Sequence, residues 1–63
     1  MFIEITDCRL SNRKTLINIS YITKLVPQKP IPTDPANCIV FMENDFVSTT
    51  MSYEEVKELI EKG

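Results

Sequence analysis

The chain has 63 residues, no histidine, two cysteines, one glycine (the terminal residue) and a formal net charge of −2 at pH 7. That length holds one domain, residues 1–63, with one core; a core of this size seldom contributes more than about 3–5 kcal/mol, so self-association is the expected supplement. Without two carboxylates to join them, two cysteines and no histidine cannot complete a zinc site, and no cofactor or metal is expected. No apolar run nears the roughly 20 residues of a membrane helix, and Glu4, Asp7 and Arg9 interrupt the start where a signal peptide would be apolar. The expectation is a cytoplasmic chain with reduced thiols and no membrane partner.

Phe2 to Thr6 alternates, with Ile3 and Ile5 on one side and Phe2, Glu4 and Thr6 on the other, which predicts a half-buried strand. The polar run Ser11-Asn12-Arg13-Lys14 suits a turn, and Thr15 to Ile19 alternates again, so residues 2–9 and 14–19 form a first hairpin. Asn18-Ile19-Ser20-Tyr21 reads as a tight corner, because Asn and Ser side chains bond nearby backbone groups. A short strand, Ile22 to Val26, follows it.

Prolines at 27, 30, 32 and 35 exclude a helix or central strand, so 28–37 is expected to be an extended, proline-rich surface loop. Lys24 to Pro30 also has the basic-plus-P-x-x-P spacing that polyproline-binding domains take. Its first half belongs to a strand, however, and a rigid loop is the plainer reading.

Cys38 to Glu43 and Phe46 to Met51 form a second hairpin about a two-residue Asn44-Asp45 turn. That turn sets Met42 opposite Val47, Val40 opposite Thr49 and Cys38 opposite Met51. Ser52 and Glu55 then make a capping box, and Met51 and Val56 have the spacing of a hydrophobic staple. Val56, Leu59 and Ile60, extended by Tyr53, form one apolar stripe, with Gly63 placed to close the helix. A helix of about ten residues is unstable alone, so the stripe must dock on the sheet. The fold class is α+β, mainly β: a small curled antiparallel sheet of about five strands with one C-terminal amphipathic helix.

Little in the chain suggests an active site. The most usual general base is missing, no glycine-rich loop exists to cradle phosphate, and Cys8 and Cys38 read as small buried residues. Glu54, Glu55, Glu58 and Glu61 read as a solvated helix face. A non-enzymatic module that binds a protein partner or itself as a homodimer is the leading reading. It would act through a strand edge or through a spare apolar face carrying Phe2, Ile39, Phe41 and Phe46. The basic residues Arg9, Arg13, Lys14, Lys24 and Lys29 concentrate in the first half of the chain. A second reading is therefore weak, salt-sensitive nucleic-acid binding by Arg9, Arg13 and Lys14 around the first turn.

Four segments resemble the small bacterial flagellar FlbD family: Phe2-Ile3-Glu4-Ile5-Thr6, Leu16-Ile17-Asn18 leading to Ile22-Thr23-Lys24-Leu25-Val26-Pro27, Val40 to Asp45, and Ser52 to Val56. The family has Asn-Gly at the hairpin and first turn, where this chain has Asn44-Asp45 and Ser11-Asn12. The resemblance implies the order of strands and terminal helix rather than an activity. A looser likeness is to LytTR-type DNA-binding domains, which also end in a hairpin and a helix; the acidic second half here counts against DNA contact.

Overall fold

The computed structural model describes residues 1–62. Its strands are β1 (Phe2–Asp7), β2 (Arg13–Asn18), β3 (Ile22–Pro27), β4 (Cys38–Met42) and β5 (Phe46–Thr49), followed by the helix α1 (Tyr53–Lys62). The class is α+β and mainly β, as the sequence implied. The single curled sheet is corrected: β1 and β2 form one antiparallel sheet, and β3-β4-β5 form a second.

The division begins at the corners. β1 ends earlier than expected, because the Asp7 carboxylate accepts from the Arg9 N–H at 2.9 Å and starts a single 3₁₀ turn over Cys8–Leu10. Ser11 and Asn12 then take left-handed backbone angles, φ 55° and 62°, before β2 begins. Asparagine tolerates that region better than most residues. At the second corner the Asn18 side chain accepts from the Ser20 N–H at 3.0 Å. The resulting 3₁₀ turn over Ile19–Tyr21 carries the chain away from β2, and β3 pairs with β4 instead.

In the second sheet the turn is wider than the two-residue hairpin expected. Phe41 pairs with Phe46, Val40 with Val47 and Cys38 with Thr49, a register two residues from the sequence expectation. The loop closes through a Met42 N–H to Asp45 carbonyl bond of 2.8 Å, and Asp45 Oδ1 also accepts from the Phe46 N–H at 2.7 Å. A slip of two keeps every side chain on its expected face. Cys38, Val40, Val47 and Thr49 therefore still point inward, and β5 stops at Thr49 rather than Met51.

The proline segment is not extended. Ile31 and Asp34 exchange both backbone bonds at 2.9 Å about Pro32-Thr33, and Asp34 accepts from Gln28 Nε2 at 2.9 Å and from the Ala36 N–H at 3.2 Å. A further bond runs from the Gln28 N–H to the Asn37 carbonyl, and another from the Asn37 N–H to the Thr49 carbonyl. Ala36 is fully buried beneath this small fold. Pro27 ends β3, an outer strand of its sheet, where a missing N–H is tolerated.

Ser52 and Glu55 form the reciprocal cap: Glu55 N–H donates to Ser52 Oγ at 3.1 Å, and Ser52 N–H donates to Glu55 Oε1 at 3.3 Å. The helix lies against β3 and β1. Val56 enters the core with Ile3, Ile5, Ile17, Cys38, Val40 and Val47, while Tyr53, Leu59, Ile60 and Met51 pack partly buried around it. The expected closure by Gly63 lies outside the described residues. No helix is long and apolar enough to cross a membrane.

Candidate functional site: an open strand edge beside a hollow

β2 pairs with β1 on one side only. In an antiparallel ladder, opposed residues alternate between pairs that exchange backbone bonds and pairs that do not. The Ile19 N–H donates to the Met1 carbonyl at 3.0 Å, one step beyond Phe2↔Asn18, so the odd-numbered residues of β2 bond to β1. Lys14, Leu16 and Asn18 therefore turn their N–H and C=O groups away from β1. The three N–H groups, and the carbonyls of Lys14 and Leu16, have no hydrogen-bond partner among the described residues.

Two hollows adjoin the hairpin. One, of about 500 Å³, runs the length of β2 on its inner side, from Asp7 and Leu10 at one end to Asn18 and Tyr21 at the other, with Met42, Phe46 and Val47 along its wall. The other, of about 740 Å³, lies between the outer face of the hairpin (Phe2, Glu4, Lys14, Leu16) and Met51, Glu55 and Leu59 at the helix. Leu16 borders both hollows and is 63% exposed, and Tyr21, at one end of the inner hollow, is 60% exposed.

The apolar residues singled out in the sequence divide accordingly. Phe2 and Phe46 both line the inner hollow. Ile39 and Phe41 stand on the outward face of β4 in the other sheet, half-buried. There Lys24 Nζ sits 4.8 Å from the Phe41 ring centre and Arg9 Cζ sits 4.6 Å from that of Phe46. The two rings are 6.1 Å apart and tilted. Cations over ring faces are attracted by the ring quadrupole, so this patch is capped rather than bare.

The basic residues diverge. Arg9 and Arg13 share a shallow depression with Leu10 and Ser11. Lys14, next to Arg13 along a strand, points to the opposite face and borders the hairpin–helix hollow. Lys24 lies on the second sheet.

Cys38 is fully buried and Cys8 half-buried, which corrects the expectation of full burial for Cys8, at the start of an exposed turn. Burial is the main cause that raises both thiol pKa values, reinforced at Cys8 by the Asp34 charge and at Cys38 by Glu54. Thiolate, the reactive form, is thereby disfavoured. Among the described residues, no three His, Cys, Asp or Glu side chains lie close enough to hold a metal ion.

Leu16 was not singled out in the sequence, although a signal existed. Thr15 and Ile17 occupy the inward parity of β2, so Leu16 is a large apolar residue at a position flanked by Lys14 and Asn18 on the solvent face. No family model, curated protein or solved structure matches the chain.

Proposed function

We propose that this chain is a non-enzymatic, cytoplasmic protein-interaction module that works by strand addition along β2. The observation that supports it is the row of unpaired backbone groups at Lys14, Leu16 and Asn18, with a hollow along the inner side of the same strand. A strand added there gains main-chain bonds, and every second side chain of it faces the inner hollow. Strand edges left open in this way pair with other chains unless charge, proline or a cover blocks them. Here two cations sit at one end of β2, and Leu16 occupies its middle. The likeness to the flagellar FlbD family belongs to the same proposal, as an expectation about fold. The separation of Arg13 from Lys14 on opposite faces weighs against the nucleic-acid reading, which needs convergent cations.

The test is photo-crosslinking in cells, with a benzophenone amino acid at position 16 and, as a control, at Glu61 on the exposed helix end. The reading expects protein adducts, to self or to another chain, from position 16 well above those from 61. Equal yields from the two sites would refute it.

A further inference from the structure

The geometry points to a second copy of this chain as the occupant of the β2 edge, forming a continuous β1-β2-β2-β1 sheet about a two-fold axis. This rests on the strand-addition reading and names its partner.

Three observations support that partner and set its register. First, a two-fold axis normal to the sheet keeps both cores on one side only if residues of the same parity face each other; a one-residue slip would turn one copy's core face outward. Of the registers that remain, the one setting Leu16 opposite the partner's Leu16 also sets Lys14 opposite the partner's Asn18. The N–H groups of Leu16 and Asn18 then meet free carbonyls, those of the partner's Leu16 and the partner's Lys14. Slipping two residues either way leaves Lys14 or Asn18 without its counterpart.

Second, charge favours the antiparallel arrangement. The edge carries Arg13 and Lys14 at its start and no acid. In the Leu16-centred register the two Lys14 residues are separated by about four residues along the strands, or ~14 Å. That exceeds the Debye length of about 8 Å at physiological salt. A parallel pairing would set them side by side at about 4.8 Å.

Third, three exposed apolar side chains, Leu10, Leu16 and Tyr21, lie along the edge where the copies meet. Leu16 would meet the partner's Leu16 on the outer face, a cross-strand pair of the kind that stabilises sheets. Leu10 and Tyr21, both more than half exposed, stand at the two ends of the inner hollow along the same edge.

The experiment is sedimentation velocity on the purified full chain from low micromolar to near-millimolar concentration, with two edge variants. The wild type is expected to move from 7.3 kDa toward twice that mass as concentration rises. Leu16→Pro removes an N–H that the β1–β2 ladder does not use, and Leu16→Lys sets like charges against each other; both are expected to stay monomeric throughout. Far-UV circular dichroism matching the wild type shows that a variant is folded, and Leu16→Lys serves if Leu16→Pro is not.

Register is read in a Cys8→Ser background by copper–phenanthroline oxidation. Leu16→Cys should give a disulfide dimer, since directly bonded pairs have Cα atoms about 5.5 Å apart, within disulfide range. Lys14→Cys should give at least tenfold less. A wild type that stays monomeric at every concentration overturns the self-pairing, as does oxidation at 14 as ready as at 16. If the purified chain is monomeric while position 16 crosslinks another protein in cells, the self-pairing fails and strand addition stands. If position 16 crosslinks nothing above the control, strand addition fails with it.

Discussion

Replacing Val56 by alanine tests the packing on which the whole fold depends. Val56 is the one fully buried residue of α1, and it meets a core drawn from both sheets. The substitution removes two methyl groups, or about 1.6 kcal/mol of transfer free energy at ~0.8 kcal/mol per carbon. The residual cavity adds to this, because close-packed surroundings relax only partly, so a total of about 2–3 kcal/mol is expected. A chain of this size holds only about 3–9 kcal/mol in all at ~0.05–0.15 kcal/mol per residue, so the loss takes a large share of the stability. Urea unfolding followed by circular dichroism reads it directly: with a slope near 1 kcal/mol/M, as small domains show, the midpoint should fall by roughly 2–3 M. Both proteins must be compared at one concentration, since association adds its own stability. A loss below about 0.5 kcal/mol would mean that the helix is not seated between β1 and β3, and the account of the core would fail.

Two further outcomes follow from the same geometry. Ser52→Ala removes the acceptor for the Glu55 N–H and should cost about 1 kcal/mol; Glu55→Ala should cost less, because its 3.3 Å bond is the weaker half of the cap. Equal stabilities for Ser52→Ala and the wild type would displace the helix start. Both thiols have folded-state pKa values raised above the ordinary 9.0, Cys8 and Cys38 alike, chiefly by burial. Above pH 9 the unfolded chain thus loses thiol protons that the folded chain keeps, so stability should decline as pH rises from there. Thermal melts across pH 7–11 should show a shallower alkaline decline in Cys38→Ala than in the wild type, and parallel declines would refute the assignment.

How much was legible depended on whether a feature was local. The capping box spans four residues and speaks through side-chain chemistry alone, and it formed as written between Ser52 and Glu55. The inward faces of the strands were equally readable, because alternation of period two survives any even shift of register. The register itself was not. Asn44-Asp45 suits a two-residue turn, yet the chain closes over Met42 to Asp45. That wider loop brings Phe41 and Phe46 into one pair under Lys24 and Arg9. Contacts from β3 and from the first corner, remote in sequence, outweighed the local turn preference. The extended shape expected of the proline loop failed for a related reason. The loop backbone lacks donors at Pro30, Pro32 and Pro35, but Asp34 supplies acceptors to Gln28 and Ala36 and folds it back regardless.

The division into two sheets is the step that creates the candidate site, and no single residue announces it. Had β3 paired with β2, the N–H groups of Lys14, Leu16 and Asn18 would have been satisfied within the chain, and Leu16 would have been an ordinary outward side chain in an internal strand. The Asn18 and Ile19–Tyr21 corner prevents this by spending its hydrogen bonds on a 3₁₀ turn that carries the chain to the other sheet. One capped turn thus leaves an edge open and places Tyr21 beside it. Loosening the corner and blocking the edge should therefore have different signatures. Asn18→Ala removes the side-chain acceptor for Ser20 and should lower stability by about 0.5–2 kcal/mol, the ordinary range for a lost cap. Leu16→Lys should leave the fold of each copy intact and change only whether two copies meet.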